Sequence, residues 1–148
     1  MKKNFILILL IILLIPFACR YKEGPAISLR SVKSRLIGNW NVTEFTSDGI
    51  DSLKYYNDSC GCLMHIPDLS DELDINVFGY NKEFGGSFSF TKNKKIMHVY
   101  FKQHASWYKN IGPIGINSDW KILRLTKEEF KISTNVNNRN YLISFKKE

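Results

Sequence analysis

The residues best suited to chemistry gather in "DSCGCLMH", positions 58–65. Cys60, Cys62 and His65 offer two soft sulfurs and an imidazole, a donor set that suits copper or zinc. A metal site needs a full ligand count and a fixed geometry. Three ligands in six residues lack a clear fourth, so no metal is expected. The two cysteines can instead pair with each other. Bridged residues need Cα atoms about 4.4–6.8 Å apart, which positions i and i+2 reach in a bent backbone, and Gly61 permits the bend. Such a ring is very small, so the bridge is expected to be easily reduced and to staple little. Two free thiols are the other reading.

Elsewhere the chemistry is sparse. His98 alternates with Met97 and Val99, which points it to solvent or to a rim. His104 begins a loop. Neither has a Ser or Cys and an Asp at a recognisable motif spacing. No nucleophile elbow, no H-E-x-x-H and no Gly-rich phosphate loop occurs. The four carboxylates of "DLSDELD" (68–74) fit no calcium-loop template and read as a solvated turn into a strand. The chain is therefore expected not to be an enzyme and to need no cofactor.

Cys19 is the remaining cysteine, and its surroundings differ. Lys2 and Lys3 precede fourteen uncharged residues, Phe5 to Ala18. At about 1.5 Å per residue a helix of that length reaches about 21 Å, short of the roughly 30 Å hydrocarbon core. A signal-peptide h-region fits the length and the flanks, whereas a membrane span does not. Pro16-Phe17-Ala18-Cys19 resembles a bacterial lipobox, with Pro16 where Leu is usual. The resemblance implies removal of residues 1–18 and acylation of Cys19, in place of an ordinary secretory leader. It also implies a lipid-anchored protein of the bacterial envelope, and Arg20, where an Asp would retain it at the inner membrane, leans toward the outer one. Its partner is then the bilayer, through acylated Cys19. Residues 19–27 read as anchor and tether.

Residues 28–148 are enough for one domain with a core. The formal charge of +7 falls by two when the leader is removed. The lysines are scattered or sit at turns, without the clustered stripe that nucleic-acid binding needs. No nucleic acid is expected. A weak attraction to anionic lipid or lipopolysaccharide is the sharper reading of that charge.

The elements that must position these residues are mostly strands. "SLRSVKSRL" (28–36) has Ser28 as a cap and Leu29, Val32 and Leu36 at helical spacing, which predicts one or two helical turns. From Leu36 the period changes to two. "LIGNWNVTEF" opens a strand, "SDG" is a turn signal, and "IDSLKYY" reads as a returning strand. "DELDINVFGY" alternates. "GGSFSFTKNKKIMHVYFKQ" reads as a hairpin turning at "KNKK", and residues 119–148 read as three strands. About eight short strands with brief links predict an all-β antiparallel meander after a short N-terminal helix. Closure into an up-and-down barrel removes its two edges. An open β-sandwich is the alternative.

Gly38-x-Trp40 after a short helix resembles the lipocalin pattern, in which the Trp closes one barrel end. Trp120, Leu125, Thr126, Tyr141 and Phe145 resemble the C-terminal meander of lipocalin-like lipoproteins from Bacteroidetes-type bacteria, an uncharacterised family. The resemblance implies a fold, a compartment and an interior that could hold something apolar. Trp40, Phe88, Phe90, Phe101, Trp120, Tyr141 and Phe145 fall on strand positions. They either pack as core or line a cup for a small apolar or amphipathic ligand, with Tyr100, Trp107 or Tyr108 near its mouth. An accessory lipoprotein that docks an envelope partner, without a cavity, is the alternative function.

Overall fold

The structure is a computed structural model and describes residues 31–68, 74–79, 82–102 and 112–148. Ser31 opens helix α1 (Val32–Leu36), its Oγ accepting from the Ser34 amide at 3.1 Å. Ser28 and Leu29 lie outside the described residues. Strand β1 (Gly38–Ser47) follows at once. Gly38 takes φ +128°, and a Cβ there would run into the Lys147 side chain, so only glycine fits the corner between helix and strand.

The order then runs β2 (Ile50–Asp51), α2 (Leu53–Ser59), β3 (Leu63–Ile66), β4 (Asp74–Gly79), β5 (Lys82–Phe90), β6 (Ile96–Phe101), β7 (Ser118–Leu125), β8 (Glu129–Val136) and β9 (Arg139–Lys147). The sequence of "IDSLKYY" predicts a returning strand, but only Ile50–Asp51 pairs with β1. Leu53–Ser59 is helical because Tyr56 stacks on Phe45 (4.9 Å, 18° between planes) and donates to the Cys62 carbonyl at 3.0 Å. Packing overrides the local β preference of its aromatics.

Every strand pairing is antiparallel, and β1 pairs with β9 as well as with β3. Eight described strands, β1 and β3 to β9, thus close into an up-and-down barrel, with β2 a short flap on β1. The first and last strands cover each other's edges, which an open sandwich would leave bare. Extra residues at Thr43 in β1 and Leu123 in β7 break the register. Such bulges bend a sheet and help it to close. Asp48-Gly49 and Asn137-Asn138 both have positive φ. They form two-residue hairpins of the kind that matches strand twist.

The inward residues make one continuous core. At the end where the chain enters, Trp40 is fully buried and its Nε1–H donates to the Leu36 carbonyl at 2.6 Å. That bond satisfies a carbonyl at the helix C-terminus. Phe130 meets Trp40 edge-on at 5.9 Å, and Phe130, Phe145 and Trp120 stack in turn at 5.3 and 6.2 Å. Lys147 Nζ lies 5.2 Å over the Trp40 ring. Arg35, 4% exposed, donates from Nη1 to the Leu125 carbonyl at 2.8 Å and from Nε to the Ser31 carbonyl. These contacts seal this end.

The opposite end, the mouth, is covered differently. Tyr56 of α2 and Ile114 of the buried segment 112–115 fill it from above. Gly112 has φ +72°, and a Cβ on it would stand 2.8 Å from both the Phe45 and Tyr141 rings. Glycine lets the connector lie flat on those aromatics.

Candidate functional site

The seven aromatics of the expected cup do not share one hollow. Trp40, Phe101, Trp120 and Phe145 are at most 1% exposed and Phe88 is 5%. They are core. Phe90 is half-buried and meets Phe88 edge-on at 5.5 Å. Tyr141 is half-buried near the mouth, 5.8 Å from Phe45. Packing accounts for most of the set, as small barrels fill their interiors with side chains. Tyr100 is exposed on the outer wall, while Trp107, Tyr108 and His104 lie outside the described residues.

Large apolar side chains face water at several described positions. Ile50 and Tyr55 are 70% and 51% exposed, on the β1–β2 hairpin and on α2. Phe78 and Tyr100 are 37% and 58% exposed, near the upper ends of β4 and β6. Ile50 and Tyr55 lie at the mouth, whereas Phe78 packs beside the His65 ring at 6.4 Å and Tyr100 lines a groove on the outer wall of β5 and β6. An open groove of about 420 Å³ beside Tyr55 is lined by Asp51, Ser52, Lys54, Tyr55 and Asp58. The acidic hairpin is well ordered by its own bonds. Asp51 Oδ1 accepts from the Leu53 amide at 2.9 Å, and Asp48 Oδ1 accepts from the Asn140 amide at 2.8 Å.

Cys60 and Cys62 are both buried, with Cα atoms 5.0 Å apart and their sulfurs in contact. The positive φ of Gly61, 53°, makes the bend between them. His65 faces away into a bond with Asn39, Nδ1 to Oδ1 at 2.6 Å. Among the described residues no group of three His, Cys, Asp or Glu side chains is arranged to hold a metal. We expect the purified chain to show no reactive thiol at these two positions until it is reduced and unfolded, and then two. Thiol titration with and without reductant checks this. Loss of a three-residue ring removes about 1–2 kcal/mol of loop-closure entropy at most, so Cys60→Ser with Cys62→Ser should shift the melting point only slightly.

Register creates one cluster that spacing along the chain concealed. Ser89 of β5 stands opposite His98 of β6, and His98 stands opposite Asp119 of β7. His98 Nδ1 and Asp119 Oδ1 are 2.6 Å apart, with side chains 46% and 67% exposed. The Ser89 hydroxyl makes no bond to the ring among the described residues. At such exposure water screens the pair, and its contribution is small. A groove of about 420 Å³ runs along this row on the outer wall. A smaller groove of about 220 Å³ crosses β7, β8, β9 and β1. Within it Arg124 pairs with Glu129, and Lys131 pairs with Glu44 at 3.4 Å, the latter also bonded by Ser144 at 2.6 Å; Lys146 lines it as well.

Cys19 and the whole leader lie outside the described residues. Among those that are described, no helix is long and apolar enough to cross a membrane.

Comparison with known proteins returned no matching family model and no matching curated protein. Solved structures similar to this chain include a redesigned β-barrel at 16% identity, covering 82% of this chain and 98% of its own, with a TM-score of 0.47. Another is a redesigned β-barrel, mFAP1, bound to DFHBI, at 14% identity, covering 80% of this chain and all of its own, with a TM-score of 0.43.

Proposed function

We propose that this chain is a lipid-anchored protein of the bacterial envelope whose barrel takes a small apolar or amphipathic ligand at its mouth. The observation that carries the reading is the asymmetry of the two ends. Around the chain entry, α1, Trp40 and Arg35 are locked by buried hydrogen bonds. The mouth instead has exposed Ile50 and Tyr55 beside an open groove. Scattered exposed apolar residues are ordinary, whereas neighbouring ones beside a groove mark a surface suited to meet something apolar. Barrel mouths are also a favoured place for small-molecule sites.

The anchor follows from Cys19 and its leader. The envelope location follows from the anchor. With the tether joined to α1, the anchor attaches on the side of the sealed end and leaves the mouth free.

A filled interior favours a second reading, in which the same rim docks an envelope protein. Admitting a ligand requires Tyr56 or Ile114 to give way, and docking does not. Native mass spectrometry of the full chain purified from its own membranes separates the two. A bound small molecule that survives removal of detergent, in a fixed ratio to the chain, is the expected result. A bare chain mass together with a defined complex with another protein would replace the ligand reading by the docking one.

A further inference from the structure

Along β8 the inward side chains are Phe130, Ile132, Thr134 and Val136. Three are apolar and one carries a hydroxyl. Thr134 is 8% exposed, and its Oγ1 is buried without any hydrogen-bond partner. Among the described residues it is the one buried side-chain nitrogen or oxygen left so. Native proteins satisfy nearly all such atoms, so an orphan calls for a physical reason. Strand β8 runs toward the mouth, and Thr134 lies near its upper end, directly opposite Tyr141 of β9. Tyr141 in turn is half-buried against Phe45 and Gly112. The unsatisfied hydroxyl thus sits beneath the end at which the proposed ligand enters.

We propose that Thr134 is the polar anchor of that site, and that the ligand is an apolar molecule with one neutral hydrogen-bonding group, a hydroxyl, carbonyl or amide. The proposal rests on the mouth-site reading above and names its ligand chemistry. Neutrality follows from the charges inside. The buried charged side chain among the described residues is Arg35, held at the sealed end by the carbonyls of Leu125 and Ser31. A carboxylate beside Thr134 would be buried with no opposite charge, which is far costlier than burying a neutral group that gains one bond. The surrounding Val136, Tyr141 and Phe45 suit an apolar or aromatic body.

Three probes of one shape test this: naphthalene, 1-naphthol and 1-naphthoate. Each is titrated calorimetrically into the full chain in detergent, against a micelle blank, for the wild type, Thr134→Val and Thr134→Ser. Valine keeps the shape and the strand preference, and serine keeps the hydroxyl. The wild type and Thr134→Ser should bind 1-naphthol alike and 1-naphthoate more weakly. Thr134→Val should bind 1-naphthol about 3- to 10-fold more weakly, the effect of one lost hydrogen bond, with naphthalene unchanged. Without any probe, Thr134→Val should melt roughly 3–6 °C higher, because the unmet hydroxyl is gone. Equal affinity of Thr134→Val and wild type for 1-naphthol overturns the anchor and leaves the mouth site standing. A lower melting point for Thr134→Val also overturns it, since the hydroxyl is then already satisfied by internal water. Failure of every form to bind naphthalene or 1-naphthol removes the mouth site itself.

Discussion

Replacing Trp40 by alanine is expected to lower the unfolding free energy by about 3–5 kcal/mol, the usual cost of emptying a buried aromatic position. Trp40 has no exposed surface, and four different elements meet at its ring. Its Nε1–H closes the C-terminus of α1 through the Leu36 carbonyl. Its edge-on contact with Phe130 links β1 to β8, and Lys147 of β9 lies over its face. Alanine would leave a cavity at the point where the helix, the first and last strands and the stacked Phe130–Phe145–Trp120 column converge. Domains of this size have only about 5–15 kcal/mol in total, so the variant should sit near the edge of folding. Trp40→Phe is the informative control. It fills much of the space but cannot donate, and it should lose about 1–2 kcal/mol. Urea denaturation of the two variants checks both values. A loss below about 1 kcal/mol for the alanine variant is incompatible with a sealed end packed as described.

With Cys19 changed to serine, the chain should lose all incorporated fatty acid and keep residues 1–18. The proposed anchor needs a sulfur nucleophile. A thiol ionises near pH 8.5 and attacks readily, whereas a serine hydroxyl needs an activating base beside it. Each buried methylene contributes about 0.8 kcal/mol, so a single chain holds a protein marginally and two or three hold it firmly. The loss of acyl chains is therefore close to all-or-none, whereas the retained apolar leader still gives the variant some hold on the membrane. Metabolic labelling with a clickable palmitate, read with the intact mass, checks it. The wild type should carry label on a chain beginning at Cys19, and the variant should carry none on a longer chain. A wild type without label and with an unmodified Cys19 sulfur would remove the anchor.

Much of the barrel is legible in the sequence because period-two alternation reports directly on which face is buried. Met97, Val99 and Phe101 in β6, and Ile143 and Phe145 in β9, all point inward as their spacing predicts. The region from 50 to 70 resists such reading for two reasons. Leu53–Ser59 contains two tyrosines that favour strands in isolation, and its helix exists because Tyr56 finds Phe45, eleven positions back in the chain. Strand β3 is only four residues long, too short to show a period. The site was less legible still. Listing aromatics on strand positions yields core residues and rim residues together, since both kinds alternate. What separates them is depth along the barrel axis, which depends on register. Register also aligns Ser89, His98 and Asp119, and no linear spacing encodes that alignment. Thr134 has no sequence signature at all. An inward threonine looks the same whether its hydroxyl is met or not.

The seam between β1 and β9 has a consequence for biogenesis. It joins residues from opposite ends of the domain, and the Asn41 side chain reaches Glu148 across 107 positions. Such remote pairings raise contact order and slow the final folding step. Under the proposed export, leader first, the polypeptide cannot complete this seam until its last strand has emerged. Closure of the barrel on the far side of the membrane would then be the last event of that proposed route.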